Sequence, residues 1–464
     1  MSLVSKSSFI RMATPKRPET ALNQPKLQVN FRAKVAPQIL VSVLSVSIAI
    51  LFGFFPAVTT ARVAFSSSLR TRGQVENIGE WFSATERRYD RWAVAYLATQ
   101  RATTVHSEDV AATEWPMFGS VFFMLSAEEL VRVNSIQHTA EFRASLRHAA
   151  EVIADEASGT WVKKKWGPHY LDKENVFYRK LVMLGLRAYA GITGDLQYAA
   201  IVERHAIGLM QELEAAPYHV LDDYPGECYP TDVVWATAAI GRIETIPKPD
   251  RERLARDVTA SLIGTLSDRH GLPATLVDSR NGTLRQPARG CAVSGLLSFA
   301  HELSPTAAEV WYQRYADQYW VENRWRAGFR EHTADSAVQF ADVDSGPILF
   351  DVGTAASLFG IGAARASGRF DHAAPLTMEA VAAAWPTPFG MLVPGAMGWA
   401  ATDSWCLGET AFLFAMTRPN HGARAAAFAG NPPLSVIGII LLYVALGAAL
   451  FTREWKFWRS RLRK

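Results

Sequence analysis

Cysteine is scarce in this chain: three residues in 464, Cys228, Cys291 and Cys406. None stands at CxxC or zinc-ribbon spacing, which argues against a redox pair and against a structural metal held by sulfur. In an oxidising compartment three cysteines allow at most one disulfide. A Cys228–Cys291 bridge, a reactive thiol and a plain small core residue all stay open for them. Charge is missing from two long stretches, residues 36–61 and 425–452. Each exceeds the roughly 20 residues a helix needs to cross a bilayer core. The body of the chain also lacks basic excess. The net charge is +4, but residues 1–37 hold seven Lys/Arg against Glu19 alone, and residues 453–464 hold six against Glu454 alone. Removing both tails from the totals of 48 and 44 leaves 35 basic and 42 acidic residues, a net of −7. A nucleic-acid partner is therefore not expected.

These absences set a domain plan. Residues 1–37 form a basic tail without helical periodicity, expected to be disordered and cytoplasmic. Residues 38–60 form a transmembrane helix. Its basic lead and apolar core are both long for a signal peptide, so an uncleaved anchor is expected. Residues 78–420 form the main domain, residues 432–452 a second transmembrane helix and residues 453–464 a second basic tail. Short basic segments stay on the cytoplasmic side, so both termini are placed inside. The main domain is then extracytoplasmic, which in a bacterial cell means the periplasm beyond the inner membrane.

What the domain does have is apolar bulk, with 14 Trp and 24 Phe, and a repeat. Six times a polar loop gives way to a helix rich in Gly, Ala, Ser and large apolar residues: EWPMFGSVFFML from Glu114, ENVFYRKLVMLGL from Glu174, YPTDVVWATAAIG from Tyr229, GCAVSGLLSFA from Gly290, GPILFDVGTAASLFGIGAA from Gly346 and SWCLGETAFLFAM from Ser404. Pro116, Pro230 and Pro347 stand in opening turns, where a missing N–H costs least. Amphipathic helices near 80–101, 138–157, 196–215, 250–268, 305–322 and 375–385 alternate with them. Six such pairs at a near-constant period describe an all-α (α/α)6 toroid with the apolar helices as inner ring. An open solenoid of helical hairpins has the same periodicity but needs polar capping repeats, which are absent here.

In a closed ring, the loops entering the inner helices open on one end and bring distant residues together. The richest is residues 221–236, LDDYPGECYPTDVVWA, with Asp222, Asp223, Glu227, Asp232, Tyr224, Tyr229 and Cys228. Glu114 and Trp115, His169 and Glu174, Arg289, Asp342 and Asp344, Asp403, Trp405 and Cys406 join it. Helix N-termini favour anionic groups, so carboxylates in first turns also read as caps. Asp342 and Asp344, two residues apart, need a cation, a shared proton or a hydrogen-bond network. Asp351 and Glu409 lie in segments otherwise nearly free of charge, and each is either an acid facing the lumen or the buried partner of Arg179, Lys180 or Arg289.

Residues 173–195, KENVFYRKLVMLGLRAYAGITGD, resemble the D-N-I-M-Y-S-G-H-L motif and following helix of the linalool dehydratase/isomerase family. Residues 228–236, CYPTDVVWA, lie where that family has C-E-P-N-N, and residues 114–120, EWPMFGS, fit its early aromatic inner helix. The resemblance spans residues 78–420. It implies an extracytoplasmic (α/α)6 barrel that removes water from a tertiary allylic alcohol and isomerises allylic alcohols without a cofactor. Cys228 keeps the first cysteine of its segment and Tyr178 the motif tyrosine. Leu181 stands where the motif histidine belongs, and Thr237 lies near the place of the second cysteine.

The resulting expectation is a membrane-anchored lyase or isomerase working by acid/base carboxylates, with no metal and no cofactor. Catalytic roles are assigned to Asp223, Asp232, Asp344, Tyr229 and Cys228, and substrate contacts to Glu114, Trp115, His169, Tyr178, Glu227, Trp405 and Glu409. Two alternatives stand beside it. One is a glycan-acting enzyme with Trp115, Trp235 and Trp405 as stacking platforms. The other is a non-catalytic, membrane-tethered binding or assembly subunit. The partners expected are a small-molecule or glycan substrate and the membrane, with homo-oligomerisation left open.

Overall fold

The computed structural model describes residues 27–106, 108–336, 339–395, 406–423 and 425–462. The fold is mostly helical, with a few short strands. A continuous helical rod opens the chain: α1 (Leu27–Ala49), a π-helical turn (Ile50–Phe54) and α2 (Phe55–Phe65). Residues 27–37, expected to lack regular structure, are already helical. Short α3 (Ser67–Arg72) ends at Gly73, whose φ of 63° lets the chain turn sharply into α4 (Ile78–Ala98).

The main domain continues with α5 (Val110–Thr113), α6 (Trp115–Arg132), α7 (Ala140–Ala154), α8 (Thr160–Trp166), α9 (Val176–Thr193), α10 (Ala199–Ala215), α11 (Pro230–Gly241) and α12 (Lys248–Ile263). After hairpin β1–β2 (Leu276–Val277, Leu284–Gln286) come α13 (Gly290–Leu303) and α14 (Pro305–Tyr319). Hairpins β3–β4 (Trp320–Glu322, Ala327–Phe329) and β5–β6 (Ile348–Leu349, Val352–Gly353) precede α15 (Thr354–Ala366). Next are α16 (Phe370–Ala384), hairpin β7–β8 (Pro386–Thr387, Gly390–Met391), α17 (Leu407–Thr417) and α18 (Leu434–Leu462).

The six apolar helices touch in sequence order: α6 packs on α9, α9 on α11, α11 on α13, α13 on α15 and α15 on α17. Then α17 packs back on α6. Helices α4, α7, α10, α12, α14 and α16 lie against the backs of these six. Small polar residues are tolerated on the inner helices because they bond within their own turn. Ser120, Ser126, Thr237 and Thr410 each donate to the carbonyl four residues earlier. Between the six helices the centre is filled by rings. Phe122 stacks on Phe414 at 4.7 Å and meets Phe359 at 5.8 Å, Trp235 meets Phe299 at 4.6 Å, and Phe118 meets Phe177 at 5.6 Å. Every one of the six helices contributes to this plug. At the C-terminal ends, Arg242 donates two 2.7 Å bonds to Glu302 and Arg418 adds a third at 3.0 Å. Cations suit that end, where the helix dipoles are negative.

One repeat departs from the expected pattern. Residues 346–353 were expected to open the fifth apolar helix, yet they form the β5–β6 hairpin, and the helix starts at Thr354. Phe350 and Asp351 hold φ of 50° and 68° at the hairpin tip, and Asp351 is exposed. It is neither buried nor in a helix.

Two helices are long and apolar enough to cross a bilayer, Gln38–Phe65 and Leu434–Arg461. They pack on each other, and most of their outward side chains are exposed, as in Leu40, Val41, Leu441 and Leu442. Such a surface is suited to lipid rather than water and marks a membrane protein. Their crossing is close at Gly53, where an added Cβ would lie 2.6 Å from the Gly447 Cα. Nearer the termini, Ser42 Oγ donates to Glu454 Oε2 at 2.6 Å and accepts from Trp458 Nε1 at 2.9 Å.

Candidate functional site: a carboxylate cluster

The turn that follows α10 builds the centre of the site. Glu227 N donates to Tyr224 O at 2.8 Å and Asp223 N to Glu227 O at 2.7 Å, with Gly226 at a φ of 84°. Asp222 fastens the turn: its carboxylate accepts from Gly226 N at 2.7 Å and from Ser279 Oγ at 2.6 Å. Asp222 is thus a turn residue, and its neighbour Asp223 is driven inward, fully buried.

Asp223 Oδ2 accepts from Tyr229 N at 2.7 Å, while Oδ1 has no hydrogen-bond partner among the described residues. Burial raises the Asp223 pKa well above the ordinary range, the Asp232 charge raises it further, and Lys180 opposes both. A proton on Oδ1, donated toward Asp232, satisfies the otherwise orphaned oxygen.

Asp232 sits in the first turn of α11 and is ion-paired with Lys180 of α9. Lys180 is 1% exposed. Its ammonium lies 4.8 Å from the Phe177 ring centroid, 4.9 Å from Trp235 and 5.5 Å from Phe118. Three ring faces and one carboxylate thus replace the water a buried cation loses.

Glu114, immediately before α6, accepts from Tyr224 Oη at 2.5 Å. Burial pushes its pKa up to about 7; nearby Asp344 and Asp232 add to the shift, and the Tyr224 bond and Lys165 oppose it. Lys165 itself lies 4.4 Å over the Tyr224 ring. Asp344, an exposed residue at the edge of the cluster, is pushed up to about 6, first by desolvation from the atoms around it and then by Asp342, with Asp232 and Glu331 contributing and Arg289 opposing. Glu114, Asp232 and Asp344 thus arrive from three separate segments and share one electrostatic environment, which Asp223 joins through Asp232.

The Asp342–Asp344 pair resolves through a cation. Arg289 grips Asp342 with bonds of 2.7 and 2.9 Å and holds the fully buried Glu331 through Nε at 2.8 Å. Burial alone would raise the Asp342 pKa, but the Arg289 and Ser345 bonds win and hold it at about 2. One acid of the pair is firmly ionised and the other is poised near neutrality.

Tyr229 donates to the exposed Glu227 at 3.1 Å and stays beside the cluster, burial raising its hydroxyl pKa first, then Glu227, with Asp223 and Asp344 adding to the shift. Other expected site residues fall elsewhere. Cys228 is buried, and burial and then Asp223 push its thiol well up, away from the reactive thiolate. Cys291 donates to Glu331 at 3.0 Å, Cys406 is buried against Gly119, and all three cysteines are free, so Cys228 and Cys291 form no bridge. His169 is 84% exposed beside Asp172 and lies outside the cluster. Tyr178 is buried against Gly159 and Tyr170, facing a different neighbourhood. Glu409 is buried but committed to Arg88 at 2.6 Å and to Met391 N at 2.8 Å. Trp115, half-buried, opens α6 beside Glu114. Trp405 and Asp403 lie outside the described residues.

Sequence reasoning missed Lys180 as the partner of Asp232, Tyr224 as the partner of Glu114, and Glu331 altogether. For Lys180 the signal was present: it is a lone ammonium in the apolar helix VFYRKLVMLGL. Among the described residues no three His, Cys, Asp or Glu side chains are grouped as a metal ion would require. A scan against protein-family models finds no match for this chain, and a search of curated proteins likewise finds none.

Proposed function

We propose that the protein is a membrane-anchored (α/α)6 toroid of the linalool dehydratase/isomerase type, acting as a cofactor-free lyase or isomerase on an alcohol. The observation that carries the reading is the split within one carboxylate cluster. Glu114 is pushed up to about 7 and Asp344 to about 6, while Asp232 is ion-paired with Lys180. One group able to give a proton beside one able to take it is the requirement of general acid–base elimination. A protonated carboxyl gives its proton to the leaving hydroxyl, the C–O bond breaks and water departs. The Asp232 carboxylate takes a proton from the adjacent carbon as the double bond forms. Return of that proton to the acid resets the site, and re-addition of water at another carbon gives the isomer.

Support for the closed ring comes from the contact of α17 with α6 and from the ring plug shared by all six helices. Trp235, one of the tryptophans that would serve a sugar, lies beneath Lys180 in the core and presents no platform, so the glycan reading gains nothing from it. The basic tails favour the cytoplasmic side for both termini. A periplasm-dependent reporter fused at residue 250 should be active; cytoplasmic activity there refutes the topology. Purified protein incubated with cell extract should alter alcohol metabolites, and Asp344→Asn and Asp232→Asn should abolish the change. Identical metabolite profiles for wild type and both variants would sink the enzymatic reading.

A further inference from the structure

The end of the domain that carries the carboxylates is the end that meets the membrane spans. Helix α16 follows α15 after three residues and so runs antiparallel to it, placing its C-terminus level with the entrances of the inner helices. At that C-terminus Tyr443 Oη donates to Ala382 O at 2.6 Å, and Trp385 Nε1 donates to Phe52 O at 3.1 Å. The β3–β4 hairpin, which follows the parallel end of α14, holds the start of the second span. Leu434 N and Ser435 N donate to Arg324 O and Trp325 O, both at 3.0 Å. The other end of α16 packs at Gly73, beyond α2 and α3, so the chain descends from the membrane along the domain.

Phe52 and Tyr443 both belong to the two long apolar helices, so the carboxylate end of the domain is joined directly to the membrane spans.

Its exposed side chains agree. Phe389 (63% exposed), Leu392 and Val393 project from the segment after Trp385, Leu349 and Phe350 (80%) from the β5–β6 tip, and Trp325 from the β3–β4 tip. The Arg326 guanidinium lies 5.5 Å from the Phe350 ring, tying the two tips together. These loops flank the entrances of α15 and α17, and the first of them belongs to the segment that carries Asp344. An apolar rim continuous with two membrane spans is a lipid-facing surface.

We propose that the mouth of the ring is immersed in the bilayer and takes its substrate from the lipid phase. The substrate class is a membrane-borne amphiphile whose hydroxyl-bearing head reaches Glu114, Asp232 and Asp344 while its hydrocarbon stays among lipid chains. This rests on the carboxylate cluster being a substrate site.

The test uses full-length protein in phosphatidylcholine/phosphatidylglycerol liposomes that contain phosphatidylcholine with an acyl-chain diazirine. After illumination, lipid adducts are mapped by mass spectrometry. Adducts are expected on residues 386–395 and 348–353 as well as on the two spans, with none on the exposed segment 193–198 at the far end of the domain. The double variant Phe350→Glu/Phe389→Glu should lose the loop adducts and keep those on the spans. Adducts confined to the spans, or loops labelled no more than residues 193–198, overturn the proposal. Labelling does not depend on the carboxylates, so Asp232→Asn should label like wild type. Carboxylate-dependent turnover with unlabelled loops would leave the acid–base reading intact and remove this one.

Discussion

Replacing Glu114 by glutamine separates a working acid from a packing residue. Glutamine keeps a side-chain oxygen for the Tyr224 hydroxyl, which donates to Oε1 at 2.5 Å, and it is neutral at every pH. The folded pKa of about 7 lies above the ordinary 4.5, so the folded state keeps a proton that the unfolded chain releases. Stability from this group is therefore complete below pH 4.5 and is lost as the pH climbs through 7. At about 1.36 kcal/mol per unit, discounted for partial exposure, the wild type gives up about 2–3 kcal/mol by pH 8. Glu114→Gln escapes that loss. With about 2.1 cal/mol/K of unfolding entropy per residue, its Tm should exceed wild type by about 3 °C at pH 8. At pH 4.5 the two should melt nearly together, and turnover should be abolished at both. Paired melting scans in detergent at the two pH values read the difference. A Tm offset of the same size and sign at pH 4.5 and pH 8 would mean that the carboxyl is not held protonated, and the reasoning from burial would fail.

Three further outcomes follow from other contacts. Lys180→Met leaves Asp232 buried without its cation and should cost about 3–5 kcal/mol in thermal unfolding, with partial rescue by a second change, Asp232→Leu. Rescue that is absent would place the lysine's role elsewhere. Maleimide at pH 7.5 should leave Cys228 and Cys406 unlabelled in the native protein and label all three cysteines after unfolding, because burial raises both thiols. Fast native labelling of Cys228 would contradict its burial. Gly53→Leu should separate the two spans, since even a Cβ there meets Gly447 at 2.6 Å, and lower the detergent-phase Tm; an unchanged melt would refute that crossing.

The succession of apolar helices was legible because small residues and large apolar ones recur at a nearly fixed period. Helices expected to open at 114, 174, 229, 290 and 404 start at Trp115, Val176, Pro230, Gly290 and Leu407. The failure at Gly346 has a physical cause. GPILFDVG is a short apolar run, and a buried helix and a strand hairpin share that pattern; only the left-handed residues Phe350 and Asp351 decide it. The cluster was legible in its acids, since Asp223, Asp232, Asp344 and Glu114 do converge. Of their counter-groups only Lys180 left a signal, as a lone ammonium in an apolar helix. Glu409 pairs with Arg88 across 321 positions, and Arg289 joins Glu331 to Asp342, partnerships set by closure of the fold and by no local spacing. His169 looked close in sequence to the second inner helix, but its loop carries it out to solvent.

The aromatic plug also sets the traffic of the site. Phe122, Phe414, Trp235 and Phe299 close the lumen beneath Lys180, and Arg242, Arg418 and Glu302 lock the far side. Under the proposed function, a molecule at the carboxylates would find the way past the rings closed, and product would have to leave on the side where substrate arrives.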